Sequence, residues 1–156
     1  MDEQTLLDKV TALDSAVEKS RVTANRPAVD VTAEALVGFM ETLKNTPDLD
    51  FNMLCSHTAV DWIKDEQFQL VYQLYSLVHA HHLQVSVFLP RDNPVVPTVS
   101  GIWRIAEWQE REVYDLFGIL YDGHPDLRRL FLEDDWEGFP LRKDYKDDFM
   151  LDETKK

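Results

Sequence analysis

The sequence predicts an α+β domain that ends in a long aperiodic tail, and three observations carry that prediction. Apolar residues recur at helical spacing in three separate runs, β-type runs lie between them, and the final third loses periodicity. No internal repeat, low-complexity tract or Gly/Ser linker cuts the 156 residues, which suffice for one core without disulfides or metals. The boundaries read as an α+β domain over 1–124 and an extended tail over 125–156, part of the same domain and not independently folded.

In order, "DEQTLLDKVTALDSAV" sets Leu6, Val10, Leu13 and Val17 at helical spacing with Leu7 beside them. Ala28–Val31 reads as a short strand. Thr32 is placed to cap a second helix with its hydroxyl, and Leu36, Phe39, Met40 and Leu43 form that helix's apolar face until "NTPD" stops it. "FNMLCSHTAVDWI" predicts a turn of helix or a bend, then a strand near Thr58–Ile63. Phe68 to Val78 is nearly continuous in β-formers, as for a strand covered on both sides. Val85, Val87 and Leu89 alternate with polar or outward positions, so the two runs predict a hairpin turning around "HAHH".

"PRDNPVVPTV" follows. Its prolines lack N–H donors and favour an extended path over the surface. Ile102, Ile105, Ala106, Val113, Leu116 and Phe117 then share one helical face, and Gly118 fits the left-handed position that ends a helix, with Ile119 packing back.

A net charge of −13 excludes unaided nucleic-acid binding, which needs a cationic face, and would repel anionic lipid headgroups. Cys55 is the one cysteine, so neither an internal disulfide nor Cys₄ cluster ligation is available. No run approaches the roughly 18 apolar residues of a spanning helix, and the acidic N-terminus lacks a signal peptide's pattern. A soluble, cytosol-side protein is expected. Five glycines, none arranged as GxGxxG, argue against a dinucleotide cradle.

Several clusters remain. His79, His81 and His82 suggest a metal site or a solvated turn, with no carboxylate close in sequence. Glu133, Asp134, Asp135 and Glu137, with His124 and Asp126, have the groups for divalent-ion binding or acid–base chemistry but match no EF-hand or HExxH spacing. Glu110, Arg111 and Glu112 fit a solvated helix face, with Arg111 and Asp115 paired at i,i+4. Arg128, Arg129, Arg142 and Lys143 either neutralise nearby carboxylates or dock on a partner, where arginine tolerates desolvation well. Trp136, Phe139, Leu141 and Tyr145 either fold back or stand out as interface anchors. The interleaving of anchors with Arg and Asp favours an interface.

"EREVYDLFGILYDGHPDLRRLFLEDDWEGFPLRKDY", Glu110 to Tyr145, resembles the signature segment of the 30 kDa (C-type) subunit family of proton-translocating NADH:quinone oxidoreductase, respiratory complex I. It carries E-R-E, aromatic-Asp-aliphatic-Phe-Gly, G-H-P-D-L-R-R, an acidic pair with an aromatic, and G-x-P-L-R-K-D. "CSHTAVDW", "YSLVHAHHLQVSVFLP" and "NPVVPTVSGIWRIAEWQERE" extend the similarity over roughly residues 28–146, with Phe139 standing where the family often has His.

The resemblance implies a two-layer α+β sandwich, helices on a mixed sheet, in a hydrophilic arm peripheral to the membrane on its cytoplasmic side. It implies no cofactor in this chain, with flavin, iron–sulfur clusters and quinone on partner subunits. The implied partners are the hydrogenase-like (D-type) subunit and its neighbours in the hydrophilic arm. His124 to Tyr145 becomes the docking segment: His124, Asp126, Arg128, Arg129, Arg142 and Lys143 polar, Trp136, Leu141 and Tyr145 apolar. Arg111, Asp115, Gly118, Pro125 and Pro140 take structural roles. Arg142→Ala is then expected to weaken assembly with melting almost unchanged. Two alternatives stand beside this: the homologous subunit of a membrane-bound hydrogenase, formate hydrogenlyase or other complex-I-like complex, and a stand-alone metal-dependent hydrolase using His124 and the acidic cluster.

Overall fold

The structure, a computed structural model, describes residues 1–22 and 24–148. Three helices and seven strands follow in the order α1 (Glu3–Thr11), β1 (Val17–Lys19), β2 (Ala28–Val31), α2 (Leu36–Asn45), β3 (Met53–Trp62), β4 (Gln67–Ser76), β5 (His81–Pro90), β6 (Val95–Pro97), α3 (Ala106–Phe117) and β7 (Leu120–Asp122). Five strands form a mixed sheet in the order β1-β2-β5-β4-β3, parallel only between β2 and β5. β6 and β7 form a separate parallel pair.

Long antiparallel strands dominate because their inward positions are apolar at period two. Along β4, Phe68, Leu70, Tyr72 and Leu74 are fully buried, and Leu83, Val85, Val87 and Leu89 oppose them from β5. Leu6 and Val10 of α1 join the same core, as do Leu36, Phe39, Met40 and Leu43 of α2. Each such side chain stabilises the fold by about 1.5–3 kcal/mol of burial. The opposite sheet face is mixed: among Val60, Val71 and Phe88, Gln69 donates to Ser86 at 3.1 Å, Gln73 to Gln84 at 2.8 Å and Trp62 to Gln69 at 3.0 Å. So β4 has one core face, and its outward residues are mostly half-buried rather than covered.

Four local expectations change. The first helix ends at Thr11, and Val17 opens β1, because Val17 pairs with Val31 across the sheet. Ala35 rather than Thr32 precedes α2, and no side chain caps it; Ala33–Ala35 form turns instead. β3 starts at Met53, five residues earlier than expected, with a register shift between Leu54 and Ser56 that breaks its alternation. Finally, the Pro-rich connection contributes β6, whose Val96 is buried between its neighbours.

Candidate functional site

α3 is the platform of the site. Its apolar positions Ala106, Val113 and Phe117 face the sheet, while Glu110, Arg111 and Asp115 are buried as well. Of the face expected to be solvated, Glu112 is exposed but Glu110 and Arg111 are buried, and with Asp115 each is occupied by a different stretch of loop. Arg111 and Asp115 do not pair with each other; both reach the tail.

Asp115 Oδ2 accepts three consecutive amides, from Leu130 at 3.1 Å, Phe131 at 2.7 Å and Leu132 at 3.0 Å. Its Oδ1 accepts from Arg129 Nη1 at 3.0 Å. Burial alone would raise this carboxyl's pKa, yet the amides of Phe131 and Leu132 and the Arg129 guanidinium outweigh it and hold it low. Arg129 also donates through Nη2 to the carbonyls of Trp136 and Gly138 at 2.9 and 3.0 Å. Arg111 donates to the carbonyls of Arg128 and Arg129 at 3.2 and 3.1 Å.

Gly118 ends α3 at φ 75°, the left-handed region that glycine enters freely. A Cβ there would lie 2.6 Å from the Phe139 ring and 2.8 Å from Arg142 Nη2, so the tail packs directly on this residue. Arg142 donates Nε to the carbonyl of Phe117 at 2.6 Å and sits over the rings of Phe68 and Phe139. It is therefore engaged in the fold, and the expectation that Arg142→Ala would leave melting almost unchanged does not match this geometry. The Leu141 amide bonds to Leu116, and the Lys143 amide to Asp61 Oδ2 at 2.9 Å. Arg91 clamps Asp61 through two hydrogen bonds at 2.8 and 2.9 Å and reaches Asp144 at 2.6 Å. Sequence separation hid this triad: its members stand 30 and 53 positions apart.

His124 donates Nε2–H to the Glu107 carbonyl at 2.9 Å and accepts the Asp126 amide on Nδ1 at 3.0 Å. Both ring nitrogens are thus used by backbone, which leaves none for a metal or a substrate proton. Among the described residues no group of three or more His, Cys, Asp or Glu is arranged to hold a metal ion. The His79 and His81 rings of "HAHH" stack with centroids 5.5 Å apart, but each histidine has its own partner: His81 is buried against the Leu49 carbonyl, His79 reaches the Pro47 carbonyl and His82 faces Arg26. Glu110 accepts from the Val99 amide and the Thr98 hydroxyl, fixing the turn into α3, and burial pushes its carboxyl up to about 7. Close by, buried His57 accepts from the Tyr121 hydroxyl and gives its other N–H to Val71; burial lowers it to about 4.

What faces outward is apolar or simply charged. Trp136 and Leu141 are exposed, and so is Phe131, at 66%, which no periodicity or motif singles out. The three amides held by Asp115 fix its backbone and leave its ring outside. Tyr145 is half-buried over Gly138 and donates to Asp147. Arg128 is exposed beside Asp126 at 3.0 Å, and Lys143 is exposed without an ion pair among the described residues. Pro125 is exposed and Pro140 half-buried. Residues 125–148 hold turns and bends but neither helix nor strand; 149–156 of the expected tail lie outside the described residues.

The comparisons with known proteins cover this platform and tail together. The profile of the "Respiratory-chain NADH dehydrogenase, 30 Kd subunit" family matches residues 29–148. A relative from Chlorobium phaeobacteroides, the C-type subunit of an NADH-quinone oxidoreductase, is 45% identical over 105 residues, covering 67% of this chain and 63% of its own length. The chain thus matches less than two thirds of that relative. Among solved structures, a chain of an archaeal respiratory membrane complex, the membrane-bound sulfane sulfur reductase, superposes with TM-score 0.77 at 26% identity over 98% of both chains. The trypsin-resistant fragment (1–134) of Nqo5 superposes with TM-score 0.65 at 31% identity, over 81% of this chain and all of the fragment.

Proposed function

The chain belongs to the respiratory-chain NADH dehydrogenase 30 kDa subunit family, and we propose that it acts as a non-redox assembly subunit of an NADH:quinone oxidoreductase. In this reading it docks on the hydrogenase-like subunit of the hydrophilic arm and carries no cofactor. It supports electron transfer from NADH to quinone, coupled to proton translocation, only within the complex. Membrane association then runs through partner subunits; no helix among the described residues is long and apolar enough to cross a membrane.

One observation supports the reading above the others: the tail is gripped by its main chain while Phe131, Trp136 and Leu141 stay exposed. Anchoring of this kind orders a segment before it meets a partner, which lowers the entropy lost on docking. Exposed aromatic and aliphatic side chains on an ordered backbone are the usual material of interface hot spots. Lys143 adds an exposed charge to meet a carboxylate across the contact, and Arg128 an exposed one already paired with Asp126; Arg129 and Arg142 are engaged inside the chain.

A second reading has its own support. The likeness to the sulfane sulfur reductase chain extends over nearly the whole of both molecules, which favours a related respiratory membrane complex with a different electron-input module.

Affinity purification of the tagged chain from native membranes in mild detergent, with mass spectrometry, tests both. Co-recovery of a hydrogenase-like subunit with flavin- and NADH-binding subunits supports the first reading. A sulfur-reductase or hydrogenase module in their place supports the second, and a free chain refutes both. Trp136→Ala with Leu141→Ala should lower recovery about tenfold or more, as for two interface anchors, with melting unchanged.

A further inference from the structure

β3 is a ten-residue strand at the sheet's edge, paired on one side only, with β4. A strand paired on one side leaves alternate N–H and C=O groups pointing outward as a template for another strand. Among the described residues no backbone or side-chain group bonds to that outer row. The register with β4 runs unbroken from Ser56 to Trp62, so the row is regular over that stretch.

Edge strands are ordinarily blunted by outward charges or by proline. Neither of these is present: Cys55, Ser56 and Thr58 are small, uncharged and exposed, in a chain of net charge −13, and the bulge, a further blunting device, is confined to Leu54/Ser56 and leaves Ser56–Trp62 in regular register. The strand's one charged residue, Asp61, is turned inward and bound by Arg91. A second observation lies at the strand's start. Met53 is exposed, and the neighbouring β4–β5 turn exposes Leu77 and Val78 at 66% and 67%, with the Leu77 amide tied to Asn52 beside Met53. An apolar knob thus stands at one end of an uncharged hydrogen-bonding edge.

We propose that this edge is a second docking surface, extended by an added β-strand from another subunit of the assembly. The occupant is a short uncharged extended segment whose apolar side chain packs against Met53, Leu77 and Val78. Main-chain bonds to Ser56–Trp62 would supply affinity and the apolar end would set register. The tail meets the far end of the same strand, through the Lys143 amide on Asp61, while Met53 stands at its start. This rests on the reading of the chain as an assembly subunit.

The test is hydrogen exchange of the β3 amides, compared between the isolated full chain and the assembly purified from membranes. The expected result is rapid exchange of the outward half of the strand when isolated and at least about tenfold slower exchange in the assembly. Leu77→Ser with Val78→Ser should lower the amount of chain recovered in the assembly about tenfold, as for lost interface anchors, with unchanged melting. A chain that assembles while β3 still exchanges rapidly overturns this inference and leaves the functional reading standing. Protection that rises with concentration in the isolated chain means self-pairing and also overturns it. A chain that never enters an assembly overturns both.

Discussion

Replacing Asp115 with Ala should release the tail while leaving the sheet folded. The substitution leaves three amides, those of Leu130, Phe131 and Leu132, without their acceptor and leaves Arg129 without its counter-charge. An unsatisfied buried donor costs about 1–3 kcal/mol, and removal of one partner from a buried pair about 3–5 kcal/mol. The terms overlap because the freed amides can turn to water once the strap opens. The loss is therefore about 3–5 kcal/mol, felt as local opening rather than in the core. Conversion at about 1.4 kcal/mol per decade gives exchange at 130–132 accelerated at least about a hundredfold. Exchange within β4 and β5 should be nearly unaffected. Asp115→Asn keeps one carbonyl oxygen for the amides but turns an NH₂ toward Arg129, so it should fall between wild type and Ala. Hydrogen exchange with mass spectrometry reads all three proteins. Acceleration of less than about threefold at 130–132 in Asp115→Ala would refute the strap.

Other expectations follow from the same geometry. Gly118→Ala places a methyl against Phe139 and Arg142 and forces φ 75° on an L-residue, so denaturant melts should show a loss of about 1–3 kcal/mol. Glu110, carried from an ordinary 4.5 to about 7, contributes stability that is complete below pH 4.5 and lost as pH rises through 7. The span is on the order of 3 kcal/mol, and Glu110→Gln should flatten the melting-versus-pH curve there; an unchanged slope would place the titration elsewhere. Asp115 has the opposite sign: its depressed pKa means that stability is present above 3.8 and lost as pH falls below it, so tail amides should lose protection first in acid. Arg142→Ala removes a carbonyl bond and two ring contacts, which should lower the isolated chain's stability by about 1–2 kcal/mol in urea titration.

The strand Ala28–Val31 and the stop at Gly118 were legible in the sequence because each depends on local chemistry: a β-branched run, and a glycine at the left-handed end of a helix. The hairpin of β4 and β5 was legible too, through its periodicity. β1 and β7 were not, since three-residue strands exist only through the neighbours that pair with them. The failure at β3 has a definite cause, a bulge between Leu54 and Ser56 that shifts the alternation by one. At the site, residue types and position were legible but their partners were not. Arg111 and Asp115 have the spacing of a surface pair, yet they bind main chain 17 and 15 residues away. Nothing in periodicity reports a contact with a carbonyl.

That preference for main chain has an evolutionary consequence. Arg111, Asp115 and Arg129 hold the tail almost wholly by amides and carbonyls, which every residue type but proline supplies. The side chains of the stretch from 130 to 137 are therefore at liberty to mutate without detaching the segment, whereas Gly138, at φ 84°, is not. A lineage could rewrite what the tail displays, matching a changing neighbour, while the fastening beneath it stays as it is.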